Sequence, residues 1–115
     1  MPGTAPTVAE IQKMGLYRLK PYFDDHLHKK RFALACARHP EIDVPLEVSQ
    51  RRDAHPDALA ELSKHPDLGI VRRIALNESA PPKVLRELSS HPDRRTRNYA
   101  NSTLQRIKKL KALKR

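Results

Sequence analysis

The sequence predicts an all-α chain: a short α-solenoid of about three 26-residue repeats, closed by N-terminal helices and ended by a longer basic helix. Three observations carry this expectation. His39-Pro40-Glu41, His65-Pro66-Asp67 and His91-Pro92-Asp93 recur at a spacing of 26 residues. Between the triplets, Leu59/Leu62 and Val84/Leu85/Leu88 fall three and four apart, as on one face of a helix. Three glycines against ten prolines fit short helices opened by proline rather than an all-β chain full of tight turns. Six to eight short helices and no strand are expected.

From the N-terminus, residues 1–6 read as a disordered lead-in. Thr7-Val8-Ala9-Glu10 matches a capping box, with the acceptor side chain three residues after the cap. Val8, Ile11 and Met14 give the first amphipathic helix, expected to end before Pro21. Asp24 and Asp25 are candidate caps for a second helix reaching about Arg38. Leu27, Leu34 and Ala35 form its inner stripe, with Phe32 and Cys36 at the edge. Residues 7–29 are read as helices capping the exposed end of the repeats, which occupy 30–103.

Self-comparison aligns Asp57 to Asp67, DALAELSKHPD, with Lys83 to Asp93, KVLRELSSHPD. Leu59, Leu62 and Ser63 then meet Leu85, Leu88 and Ser89, and Pro56 meets Pro82. VRRIALN from Val71 and TRNYANS from Thr96 fill matching positions, the second through a link one residue shorter. The first unit, LACARHP from Leu34 and PLEVSQR from Pro45, matches loosely. Each unit reads as two helices. Pro56 and Pro82 suit first turns, with Asp53 and Ser79 as capping candidates. Leu59, Leu62, Leu85 and Leu88 point inward. His65 and His91 end their helices, because a residue before proline is pushed out of the α region, and their rings are expected to reach free carbonyls. Asp67 and Asp93 open the next helices. Ile70, Val71, Ile74 and Ala75 form one inner face; Tyr99, Ala100, Leu104, Ile107 and Leu110 form that of the last, longer helix. Helices this short are unstable alone and must stack on neighbours.

The run VRRIALNESAPPKVLRELSSHPD, from Val71 to Asp93, resembles the leucine-rich repeat variant, a bacterial relative of HEAT-like solenoids. The resemblance covers about residues 53–102 closely and 30–52 loosely. It implies alternating α and 3₁₀ helices wound into a right-handed superhelix. Some members carry an N-terminal iron–sulfur domain; with Cys36 as its single cysteine, this chain lacks that feature. HEAT-like kin include alkylpurine DNA glycosylases that grip duplex DNA with a basic concave face. Those are far longer, and no residue here carries over from them as catalytic.

Leu, Ile, Val and Phe supply 26 of the 115 residues, just above the roughly 20% below which a highly charged chain usually stays disordered. Most of them must therefore point inward. The net charge of +10 is lopsided: residues 1–93 hold 14 bases and 13 acids. Residues 94–115 hold nine bases and no acid: Arg94, Arg95, Arg97, Arg106, Lys108, Lys109, Lys111, Lys114 and Arg115. A single-sign patch of this density repels itself unless a partner neutralises it. The basic helix or tail at 104–115 is thus expected to contact a polyanion, either a DNA or RNA backbone or an acidic protein, with Arg72 and Arg73 as a possible extension. A nucleic-acid contact would rest on phosphates with little base readout. The alternative is a protein-interaction adaptor that uses the solenoid surface.

No enzymatic chemistry is expected. His39, His65 and His91 occupy the same repeat position and so lie too far apart to share a metal ion. His26 and His28, two apart on a helix, face different sides. Cys36 lies in an apolar run, where a thiol behaves as a small hydrophobe, and no third group orients a Cys36–His39 pair. Asp24-Asp25 reads as a helix start, not a carboxylate pair. The glycines, at 3, 15 and 69, make no phosphate loop. No cofactor, membrane span or secretory signal is expected, and the cytoplasm is the default location.

Overall fold

A computed structural model describes residues 4–113. The eight helices are α1 Val8–Lys13, α2 Leu16–His26, α3 Lys30–Ala37, α4 Asp43–Gln50, α5 Pro56–Leu62, α6 Leu68–Leu76, α7 Pro82–Leu88 and α8 Arg94–Leu113. Among the described residues there is no strand, as expected.

Capping sets where several helices begin. The Thr7 box forms in full: the Glu10 amide donates to Thr7 Oγ1 at 3.2 Å, and the Thr7 amide to Glu10 Oε1 at 2.8 Å. Asp67 accepts from the Ile70 amide at 3.2 Å and Asp93 from the Thr96 amide at 3.0 Å, so both aspartates open their helices. Asp53 and Ser79 do not cap. His55 caps α5 with its ring instead, accepting from the Asp57 amide at 3.1 Å, while Asp53 is held by Arg51.

The recurring His-Pro-acid triplets share one geometry. Nδ1 of His39, His65 and His91 accepts the amide two residues on, at 3.0, 3.0 and 2.9 Å. The rings are thus acceptors for an amide of the turn rather than donors to a carbonyl. Only His39 does both: its Nε2–H donates to the Met14 carbonyl at 2.7 Å, which ties α1 to α3.

The N-terminal helices depart from expectation. The chain breaks at Met14–Gly15, and Pro21 lies inside α2. A mid-helix proline removes one amide and leaves the carbonyl four residues back unpaired. Here that carbonyl belongs to Tyr17, a residue 92% exposed, so the unpaired group lies on the solvent side and not in the core. Leu19, Phe23 and His26, all buried on the opposite stripe, hold the helix on both sides of the proline. Asp24 and Asp25 consequently sit in the last turns of α2, not at a cap. In α3 the buried residues are Phe32, Ala33, Ala35, Cys36 and Ala37; Ala35 is inside as expected, while Leu34 is only half-buried. Phe32 meets Phe23 edge-on at 6.1 Å, which turns this face inward.

Each helix packs mainly on near neighbours: α1 on α3, α3 on α4 and α5, α4 on α6, α6 on α8 and α7 on α8. The extents are 39 × 35 × 18 Å, so the molecule is about two helix diameters thick. The core is aliphatic; Leu59, Leu62, Ile74, Leu85 and Leu88 are all at most 4% exposed, as their spacing predicts.

Two buried polar side chains fix the register of the C-terminal half. Asn77 donates to the carbonyls of Ser49 at 3.0 Å and Arg51 at 2.9 Å. Thr103, 26 residues later, donates to the carbonyl of Ala75 at 2.6 Å. The pairs Ile70/Thr96, Ile74/Ala100 and Asn77/Thr103 are all buried and all 26 apart. The register from α6 to α8 is therefore unbroken, and the shorter link expected before Thr96 is not there.

Truncating Leu62 or Leu88 to Ala should destabilise the protein by about 2–5 kcal/mol. Chemical denaturation measures this. A loss under about 1 kcal/mol at both positions would mean that the neighbouring helices do not depend on this face.

Candidate nucleic-acid interface

Helix α8 is 20 residues long, about 30 Å at 1.5 Å per residue. Thr96, Ala100 and Thr103 are buried; Tyr99, Leu104 and Ile107 pack half-buried on the core. The apolar stripe fades toward the end: Leu110 is 47% and Leu113 80% exposed. The helix runs unbroken through position 104 and contains no acid.

Three arginines expected to meet a polyanion are engaged within the protein. Arg72 makes a fork on Asp93, both bonds at 3.0 Å. Arg97 donates to the carbonyls of His91 and Pro92 at 2.9 and 2.8 Å. Arg106 pairs with Glu78 at 3.1 Å and donates to Thr103 Oγ1 at 3.2 Å. These contacts bind α8 to α6 and to the turn before it. Lys114 and Arg115 lie outside the described residues.

Arg94, Arg95, Lys108, Lys109 and Lys111 remain. All are exposed, and none meets an acidic or hydrogen-bonding partner among the described residues. The free charge thus sits at the two ends of α8. Between them the outward face carries exposed Asn98, Asn101, Ser102 and Gln105. The lysines lie at the negative end of the helix dipole, which favours cations; Arg94 and Arg95 lie at the positive end, which disfavours them.

Asp93 compensates at that positive end. Its carboxylate caps the first turn and accepts from Arg72 and from the Thr96 hydroxyl at 2.8 Å. The Arg72 guanidinium first, then the Thr96 hydroxyl, holds Asp93 well below the usual carboxylate range.

Arg73 lies apart from this arrangement. It is half-buried, and its Nε has no hydrogen-bond partner. It lines a cleft of about 200 Å³ with Gln50, Arg52, Leu76 and Asn77. Arg52 lies 3.8 Å from Glu78, which also pairs with Arg106 at 3.1 Å.

Cys36 is buried, and burial pushes its thiol up to about 12. A protonated, enclosed thiol is a packing residue. Among the described residues no three His, Cys, Asp or Glu side chains gather so as to hold a metal ion, and no helix is long and apolar enough to cross a membrane.

Reading the sequence for single-sign charge missed the partners of these cations. The signal was present in the repeat. Lys20–Glu47, Asp24–Arg51, Lys30–Asp57, Arg52–Glu78 and Glu78–Arg106 are ion pairs 26 to 28 residues apart, one repeat length. Opposite charges at that spacing identify Arg106 as engaged, whereas Arg72 and Arg97 find their partners at shorter spacings.

Neither family models, nor curated proteins, nor solved structures match this chain.

The Asp93 site makes stability depend on pH in a defined direction. Its folded pKa lies below the unfolded value of about 3.9, so its contribution is complete above that value and lost as pH falls through the carboxylate range. Asp93→Asn keeps a capping oxygen and removes the charge. The wild type should melt above this variant at pH 7, with the difference constant down to about pH 4 and shrinking progressively below it. A pH-independent difference would show that the charge plays no part.

Proposed function

We propose that this protein is a non-enzymatic binding module of the leucine-rich repeat variant type that contacts the backbone of DNA or RNA through α8. The observation that carries this reading is the sorting of charge on that helix. Arg97 and Arg106 are engaged in holding it, while Arg94, Arg95, Lys108, Lys109 and Lys111 face solvent on an acid-free surface. A right-handed solenoid is the architecture we infer. It is supported by packing between near-neighbour helices, by a thickness of 18 Å and by buried bonds repeated at a 26-residue interval.

The mechanism is charge neutralisation with release of condensed counterions. From Arg94 to Lys111 is about 26 Å along the helix. That length of duplex carries roughly 15 phosphates, ample for five cations to be matched at once. Because the free cations would engage phosphates, which carry no sequence information, sequence preference is expected to be slight.

A second reading, an adaptor for an acidic protein, is favoured by a different feature. A cleft of about 500 Å³ between α1 and α3 is lined by apolar Val8, Leu34 and Ala35 together with basic Lys30, Arg31 and Arg38.

Fluorescence anisotropy on a random duplex and on a single strand, at several salt concentrations, tests the nucleic-acid reading. Five phosphate contacts give a slope of about −4 to −5 in log K against log salt. Replacing Lys108, Lys109 and Lys111 by Gln should reduce the slope by up to about three and weaken all sequences alike. Affinity weaker than about millimolar at low salt, or no salt dependence, removes nucleic acid and leaves the adaptor reading.

A further inference from the structure

The outward side of α3 is apolar where the later units make the same positions small or charged. Steps of 26 residues lead from Leu34 to Ala60 and Arg86, and from Ala35 to Glu61 and Glu87. The interval holds in the fold, since Ala33, Leu59 and Leu85 are all buried at that spacing. A solvated helix face has no use for a leucine. From α1, only Val8 and Gln12 line the cleft beside Leu34, and Val8 stays 42% exposed. The result is an open groove along α3 from Lys30 to Arg38, about 12 Å long, or two helical turns. A second cleft of about 340 Å³ shares Val8 and Arg31 with the first and adds Ala5, Phe32 and Lys29.

No acid lines either cleft. Helix α3 contains none, and Glu10, the acid of α1, is turned to the Thr7 amide. Two of the bases are compensated from α5: Lys30 by Asp57 at 3.2 Å, and Arg38 by the Glu61 fork at 2.8 and 2.7 Å. Lys29 donates to His26 Nδ1 at 3.2 Å, which leaves its charge in place. Arg31, common to both clefts, is exposed and meets no acid among the described residues. The uncompensated charge at the groove is therefore Arg31 and Lys29. Both stand at the start of α3, where the positive end of the helix dipole adds to their attraction for an anion.

An apolar floor two turns long with positive charge at one end matches an amphipathic helix that carries acids beside its apolar side. A second copy of this chain fits poorly. Its exposed leucines, Leu110 and Leu113, come with Lys108, Lys109 and Lys111 and would set like charges against Arg31. We propose that the α1–α3 groove seats an acidic amphipathic helix of a protein partner. Leu34 and Val8 receive its apolar side and Arg31 its carboxylates, a docking mode that rests on the adaptor reading and is independent of α8.

The test uses the full chain and a labelled peptide of about 14 residues, long enough to form a helix on binding. Its leucines are one turn apart on one side, with glutamates beside them. Anisotropy at low salt should give a dissociation constant below about 0.1 mM. Arg31→Glu should weaken binding about tenfold, and replacing the peptide's leucines by alanine should do the same, about tenfold. Glutamate suits the first turn of a helix, so the Arg31 variant keeps its fold. Binding should survive replacement of Lys108, Lys109 and Lys111 by Gln, and the amide signals of Val8 and Leu34 should shift on adding peptide. Binding that falls with the lysine variant and is unchanged by Arg31→Glu overturns the groove and leaves an adaptor that works through α8. Indifference to the loss of the peptide's leucines also overturns it, since charge alone is then read. Affinity weaker than about millimolar overturns the groove and the adaptor reading together.

Discussion

The C-terminal half of the protein depends on buried side-chain hydrogen bonds that reach back one repeat. Asn77 ties the end of α6 to the end of α4, and Thr103 ties the middle of α8 to the end of α6. Each satisfies a carbonyl near a helix C-terminus that has no intrahelical partner. Apolar packing alone would tolerate some sliding of one short helix along another. A donor that must find one carbonyl does not, since the alternative is a buried unpaired group. These bonds therefore convert a loosely patterned set of short helices into one register, and that register decides which side of α8 faces water.

Once α8 is set, its charges divide by position. At its start, Asp93 caps the helix, receives the Arg72 fork and accepts the Thr96 hydroxyl. Near its middle, Arg106 meets Glu78, which also stands beside Arg52. Glu78 and Asp93 together neutralise bases that the sequence places next to the unbalanced tail. Without them the self-repulsion of α8 would extend into α6. Among the described residues the remaining excess on α8 is confined to Arg94, Arg95 and the lysines at 108, 109 and 111, at opposite ends of one helix.

Much of this was legible in the sequence, and the reasons for the rest are physical. Helix class, the 26-residue interval and the inward leucines follow from periodicity and proline placement, and Leu59, Leu62, Ile74, Leu85 and Leu88 are buried accordingly. Pro21 was misread because a proline's effect depends on whether the freed carbonyl reaches water, which is a tertiary property. Thr96 and Thr103 were not recognised as core because a polar residue enters the interior only when a partner awaits it, and the partner of Thr103, Ala75 O, is a backbone atom that no side-chain pattern encodes. Aligning the repeats by apolar similarity also favoured a one-residue gap that the hydrogen bonds of Asp93 and Thr103 exclude. The basic end was visible as a count of charges. Which of those charges are engaged was hidden in tertiary partners: Glu78 a full repeat before Arg106, and the carbonyls of the preceding turn for Arg97.

The division between engaged and free bases also follows the chemistry of the two cationic side chains. The pairs that hold α8 use arginine: Arg72 on Asp93, Arg97 on two carbonyls, Arg106 on Glu78 and Thr103. Such sites need several donors in a fixed plane, and replacing guanidinium by ammonium there would lose bonds as well as geometry. The free charge at the C-terminal end of α8 is lysine, at 108, 109 and 111. An ammonium is strongly hydrated and mobile on its stem, suited to a phosphate that is attracted by charge and not oriented by a fork. A surface of this kind would bind with steep salt dependence and little geometric demand. The difference between the engaged and the free bases lies in how much of each side chain the fold has already immobilised.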